Sequence, residues 1–177
     1  MIVVLSEAEQ RLASFIGKAR HLSSREQGIK DLRRGDKPAD LIDMEGAAAE
    51  IAFCKAFNIY PDLDVGEKKV VDCTLSSGHT VDVKWTSRPE GMLITVPWKK
   101  PKVDIFALVV GTMPEYRIAG WMLATELIKE ERLRFVGNNN VYAATQGELV
   151  DPKSLLSVGH GWIEETTWNQ EFLESRN

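Results

Sequence analysis

Near the middle of the chain, Asp72, Asp82 and Lys84 have the types and the spacing to do chemistry together. Residues 70–75 and 80–86 are rich in strand formers and are separated by Ser76, Ser77, Gly78 and His79, the pattern of a β-hairpin. Side chains alternate along a strand, so Asp82, Lys84 and Thr86 share one face while Val81, Val83 and Trp85 share the other. On the preceding strand Asp72 and Thr74 share a face. The charges meet in one register only. A two- or four-residue loop sets Asp72 opposite Val83, whereas a three-residue loop of Ser76, Ser77 and Gly78, with Gly78 left-handed, sets Asp72 opposite Asp82. The three-residue loop is the expectation. A lone acid-x-Lys triplet is common, and it recurs here at Glu67-Lys68-Lys69 and Asp151-Pro152-Lys153. Those copies lie in a charged loop and a turn; Asp82-Val83-Lys84 alone sits on a hairpin strand with an aspartate upstream.

Two carboxylates held face to face repel, and one is driven to its protonated form unless a cation neutralises both. Ligands that are all oxygen suit Mg2+ or Mn2+ better than zinc. Glu50 can supply a third carboxylate. Its neighbours at helical spacing are Gly46, Ala47, Phe53 and Cys54, so the charge rises from an apolar patch where leaving it unpaired is costly. It has two outlets: the same metal, or a buried salt bridge to an arginine of the first helix. Lys84 beside a metal would orient the attacking water and steady charge developing on a phosphorane, a role worth on the order of 10²–10³ in rate.

The order helix-borne Glu50, then Val71-Asp72, then Asp82-Val83-Lys84 resembles the PD-(D/E)XK, restriction-endonuclease-like superfamily of nucleases. Residues 45–53 are similar to the helix that precedes the motif in small phage and bacterial members, and residues 104–111 and 116–122 to the two strands that follow it. The likeness covers about residues 40–125. Val71 stands where the family name has proline, and Asp82 where glutamate is commoner; neither change removes a ligand. The resemblance implies Asp72 and Asp82 as metal ligands with the main-chain carbonyl of Val83, Glu50 as an auxiliary ligand, and Lys84 as the catalytic lysine. It implies a Mg2+- or Mn2+-dependent hydrolase of DNA phosphodiester bonds, with RNA as the other substrate to test. A phage-encoded member would work in its host's cytoplasm. The alternative is a catalytically silent relative that binds nucleic acid or a protein on the same scaffold.

These residues need a frame. Ser6 and Glu9 have capping-box spacing, and Leu12, Phe15, Ile16 and Ala19 follow at helical intervals, so residues 6–20 form an amphipathic helix outside the core. Residues 21–41 are polar with basic patches and read as a connection with a short helix. Asp43 would cap a buried helix over 44–57, with Glu45 in its first turn. Short strands fall at 93–96 and 141–144, further strands at 104–111 and 116–122, and a helix at 124–133, with a helical tail from Ser154. The unbroken apolar run 104–111 belongs at the centre of the sheet. The expected fold is α/β: helices around a central mixed sheet of about five strands, in one domain over 1–177. Its core spans about 40–125, with extensions at 1–40 and 126–177.

At 177 residues, 44% of them hydrophobic, the chain can bury one sizeable core. A net charge of -4 disfavours indiscriminate coating of nucleic acid. Trp98, Lys99, Lys100 and Lys102, with Arg33 and Arg34, are the candidates for nucleic-acid contact. Cys54 and Cys73 show neither zinc nor disulfide spacing. The apolar start at 1–5 stops at Ser6 and Glu7, too short for a signal peptide or a membrane span, so a cytoplasmic protein is expected. A double-strand cut at one site would call for a homodimer.

Overall fold

The computed structural model describes residues 1–28, 38–65, 71–96, 103–136 and 139–158. Strand β1 (Ile2–Val4) leads into helix α1 (Glu7–Glu26) and then α2 (Ala39–Phe57). The hairpin β2 (Cys73–Thr74) and β3 (Thr80–Thr86) is followed by β4 (Leu93–Thr95), β5 (Ile105–Thr112) and β6 (Glu115–Leu123). A short helix α3 (Ala124–Leu127), strands β7 (Leu133–Val136) and β8 (Asn139–Ala144), and helix α4 (Ser154–Val158) complete the order. Among the described residues no helix is long and apolar enough to cross a membrane.

The fold is α/β with a mixed five-stranded sheet in the order β1-β6-β5-β3-β2. β5 is its centre, parallel to β3 and antiparallel to β6. Residues 105–110 are buried throughout. Ile105, Ala107 and Val109 face a core shared with α1 and α2, and Phe106, Leu108 and Val110 face a second core with Leu93, Met122 and Ala144. A three-stranded sheet, β4-β8-β7, contributes to that second core. The strands expected at 93–96 and 141–144 are present as β4 and β8; their pairing in a separate sheet, and strands β1 and β7, have no counterpart in the sequence reading, because runs of three or four residues carry too little alternation to read.

Helix α1 has the capping box: Glu9 N–H donates to Ser6 Oγ at 3.3 Å, and Ser6 N–H to Glu9 Oε2 at 2.6 Å. The helix runs six residues beyond the expected end. Helix α2 starts at Ala39 after Pro38, not at Asp43. Proline pre-sets an extended entry to a helix without offering a side-chain cap, and the Asp43 carboxylate instead meets His21 Nδ1 at 2.8 Å. Glu45 therefore lies beyond the first turn, where Tyr116 Oη (2.5 Å) and Met113 N–H (3.2 Å) donate to it. The expected helix over 124–133 stops at Leu127; a 3-10 turn follows and Leu133 opens β7. The two long helices approach closely where α1 carries no side chain: a Cβ on Gly17 would lie 2.4 Å from Met44 Cα.

Candidate active site

The hairpin has the odd loop. Cys73 pairs with Val81 and Thr74 with Thr80, a register that sets Asp72 opposite Asp82. Leu75 N–H donates to His79 O at 2.9 Å, leaving Ser76, Ser77 and Gly78 as the loop, and Gly78 has φ of 89°. That backbone conformation is cheap for glycine alone. His79 serves the turn, its Nδ1 2.9 Å from Ser77 Oγ.

Regular pairing of β2 is only two residues long, and Asp72 takes over where it stops. Its Oδ2 accepts from Val83 N–H at 2.6 Å, replacing the ladder bond that a longer strand would supply. A strand residue presents its N–H and C=O on the same edge, so the Val83 carbonyl lies on the edge that Asp72 covers. Asp82 and Lys84 stand on the face of β3 away from the long helices, beside Phe106 and Leu108 of β5. Lys84 Nζ lies 2.6 and 2.7 Å from the two Asp82 oxygens and 5.8 Å from the Phe106 ring centre. These side chains are not a solvated fringe: Asp82 is 14% exposed and Lys84 34%.

From the other side, α2 brings Glu50. Arg20 of α1 donates through Nη1 to Glu50 Oε2 at 2.6 Å, through Nη2 to Asp62 O at 3.0 Å and through Nε to Asp64 O at 3.3 Å. The salt bridge to an arginine of the first helix, one of the two outlets for Glu50, is thus present. It does not settle the charge. Burial raises the Glu50 carboxyl; Arg20 opposes this, and the charges of Asp82 and Asp62 raise it further, leaving it above its ordinary value. Asp72 is perturbed more. Burial first, then the charges of Glu50 and Asp82, push it up to about 8 against the lowering by Val83 N–H and Lys84. Burial opposes the charge on Arg20, but Glu50, Asp72 and Asp62 outweigh it and raise that group. Four carboxylates, those of Glu50, Asp62, Asp72 and Asp82, therefore influence one another around two cations, Arg20 and Lys84.

Such a donor set fits a hard divalent cation. A carboxyl that would keep its proton near neutral pH unless a positive charge arrives is what adjacent, under-neutralised carboxylates produce. Asp72, Asp82 and Glu50, with the Val83 carbonyl at the same edge, are the residues that could hold it. Among the described residues no three His, Cys, Asp or Glu side chains are grouped so that they could hold a metal ion as they stand. The hydrogen bonds explain the spread: Arg20 draws Glu50, Lys84 draws Asp82, and Val83 N–H draws Asp72. Behind Asp72, the thiol of Cys73 is pushed up by its contact with Cys54 and by burial, and both cysteines are free and buried.

Two members of the cluster had no number in the sequence reading. Arg20 could have been found, because it falls one turn from Ile16 on the buried face of α1, where a charge needs a partner. Asp62 carries no local signal. Trp98, Lys99, Lys100, Lys102, Arg33 and Arg34 lie outside the described residues. Comparison of the chain with family models, curated proteins and solved structures finds no match.

Proposed function

We propose that the chain is a Mg2+- or Mn2+-dependent nuclease that hydrolyses DNA phosphodiester bonds at Asp72, Asp82, Lys84 and Glu50, in the manner of the PD-(D/E)XK superfamily that its motif order resembles. One observation carries the reading: an odd-length loop brings Asp72 into register with Asp82, and burial, with the charges of Glu50 and Asp82, pushes Asp72 up to about 8. Beyond the bond to Val83 N–H, such a carboxyl costs the fold stability near neutral pH, and a cation bound beside it would relieve that cost. Bound among these carboxylates, a divalent cation would polarise a phosphate oxygen and lower the pKa of a water. The chain's own residues do the rest. Asp72 and Asp82 stand opposite each other across the hairpin, held by the Val83 N–H and by Lys84. Lys84, released from Asp82 when that carboxylate turns to another cation, can orient a water and steady negative charge on the phosphate oxygens. Arg20 keeps one oxygen of Glu50 anchored to α1.

The test is cleavage of labelled linear, nicked and single-stranded DNA, and of RNA, with Mg2+ or Mn2+. Metal-dependent cutting lost on Asp82→Asn and reduced by about 10²–10³ on Lys84→Ala supports the nuclease. A second reading has its own observation in favour. Each carboxylate already has a partner within the protein, as expected of a silent relative that binds nucleic acid or a protein on this scaffold. Absence of both cutting and saturable Mn2+ binding would favour it.

A further inference from the structure

Helix α1 has two faces with different tasks, and among the described residues only one packs into the core. Ala13, Ile16 and Gly17 are buried, and Arg20 turns inward to Glu50. On the outward side Leu12, Phe15 and Leu22 are 38%, 70% and 62% exposed. With Ala19 between them, these residues follow the 3-4-3 spacing of a coiled-coil seam. Along one flank run Arg11, Lys18 and Arg25, seven residues apart and all exposed. Among the described residues neither Lys18 nor Arg25 has an ion-pair partner, and Arg11 reaches only the exposed Glu7 at 3.5 Å. An open depression on this side is lined by Arg11, Phe15, Lys18 and Met113 beside Glu7 and Gln10.

We propose that this face docks an acidic amphipathic helix of a partner protein. The spacing selects a helix: a seam of a and d positions is narrow and receives knobs from another helix, whereas a membrane-lying face is broader. Charge selects the partner. A second copy laid antiparallel would set the basic row against itself, with Arg11 near Arg25 and Lys18 near Lys18 of the other molecule. Laid parallel, it would bring the row to Ile16 and Ser23, which offer no charge. A helix with glutamates flanking its apolar seam meets all three cations and covers Phe15 and Leu22. The candidate active site meets the opposite side of α1, through Arg20, so this docking does not depend on the nuclease reading.

The probe is a fluorescein-labelled peptide of about 21 residues, long enough to fold on the seam, with leucine at a and d and glutamate at e and g. Glutamates on both flanks keep it from pairing with itself. Anisotropy titration with the full chain at low salt should show saturable binding, weakened about tenfold or more by Phe15→Glu and by Leu22→Glu. The double change Lys18→Glu with Arg25→Glu should weaken binding and flatten its salt dependence. A peptide carrying lysine in place of glutamate should bind about tenfold more weakly or not at all. Both apolar positions are exposed, so unchanged circular dichroism and melting verify that the variants fold. The proposal is overturned if the two peptides bind alike, if neither binds, or if Phe15→Glu leaves the affinity unchanged. It is also overturned if sedimentation shows a dimer that Phe15→Glu disperses, which assigns the face to a second copy. Binding to phosphatidylserine-containing vesicles that Phe15→Glu abolishes would assign it to lipid.

Discussion

Replacing Asp72 with asparagine should make the protein more stable at pH 8 in EDTA while removing its response to divalent cations. The folded-state carboxyl sits at about 8, against an ordinary 3.8. Below the lower value both folded and unfolded chains hold the proton, and Asp72 costs nothing. Between the two values the unfolded chain releases the proton while the folded chain keeps it, so stability is lost as pH rises, until the folded carboxyl also ionises near 8. At roughly 1.4 kcal/mol per unit, the span sets an upper bound on the order of 5 kcal/mol. Part of the rise comes from the neighbouring charges of Glu50 and Asp82, which Arg20 and Lys84 partly offset, so a loss of about 1–3 kcal/mol is expected. Asparagine keeps an oxygen for Val83 N–H and does not ionise. For a chain of this size about 1 kcal/mol moves Tm by roughly 2–4 °C. In EDTA, Asp72→Asn should therefore melt about 3–10 °C above the wild type at pH 8 and close to it at pH 4.5. Millimolar Mn2+ at pH 8 should close that gap by raising the wild type alone. Thermal melts by tryptophan fluorescence at several pH values provide the assay. Parallel pH curves, or a variant that melts below the wild type at pH 8, would refute the electrostatic account of the site.

Arg20→Gln leaves Glu50 buried without its cation and should cost about 2–4 kcal/mol in urea unfolding, with at least about 1 kcal/mol recovered when Glu50→Gln is added. Strict additivity of the two changes would mean that the 2.6 Å pair carries no coupling. Gly17→Ala forces a methyl against Met44 Cα, where the Cβ would lie 2.4 Å away, and should destabilise by about 2 kcal/mol or more. Gly46→Ala, on the helix that Gly17 meets, has nothing within 4 Å of its Cβ and should stabilise by about 0.5–1 kcal/mol. Equal effects of the two glycine changes on the urea midpoint would show that the close approach of α1 and α2 is not what Gly17 provides.

Much of the fold was legible because its signals are local. Continuous apolar residues marked β5 as a strand buried on both faces, and Ser6 with Glu9 marked the start of α1. The hairpin was legible in finer detail: the period of two leaves one loop length that brings Asp72 to Asp82, and Gly78 supplies the positive φ that this loop needs. Tertiary structure decided what depends on partners distant in the chain. Helix α2 begins at Ala39 while Asp43 turns to His21, because a side chain offered a partner across a helix interface need not cap its own helix. Leu12 and Phe15 look like core from their spacing, yet they point outward, because Gly17 lets α1 meet the backbone of α2 on the side of Ala13, Ile16 and Gly17. Glu50 was recognisable as a charge in an apolar helix, but spacing along α2 could not distinguish the arginine from the other carboxylates as its company. Both proved to be present, because burial places the charges of Arg20, Asp62, Asp72 and Asp82 close enough to Glu50 to act on it through a medium that screens them weakly.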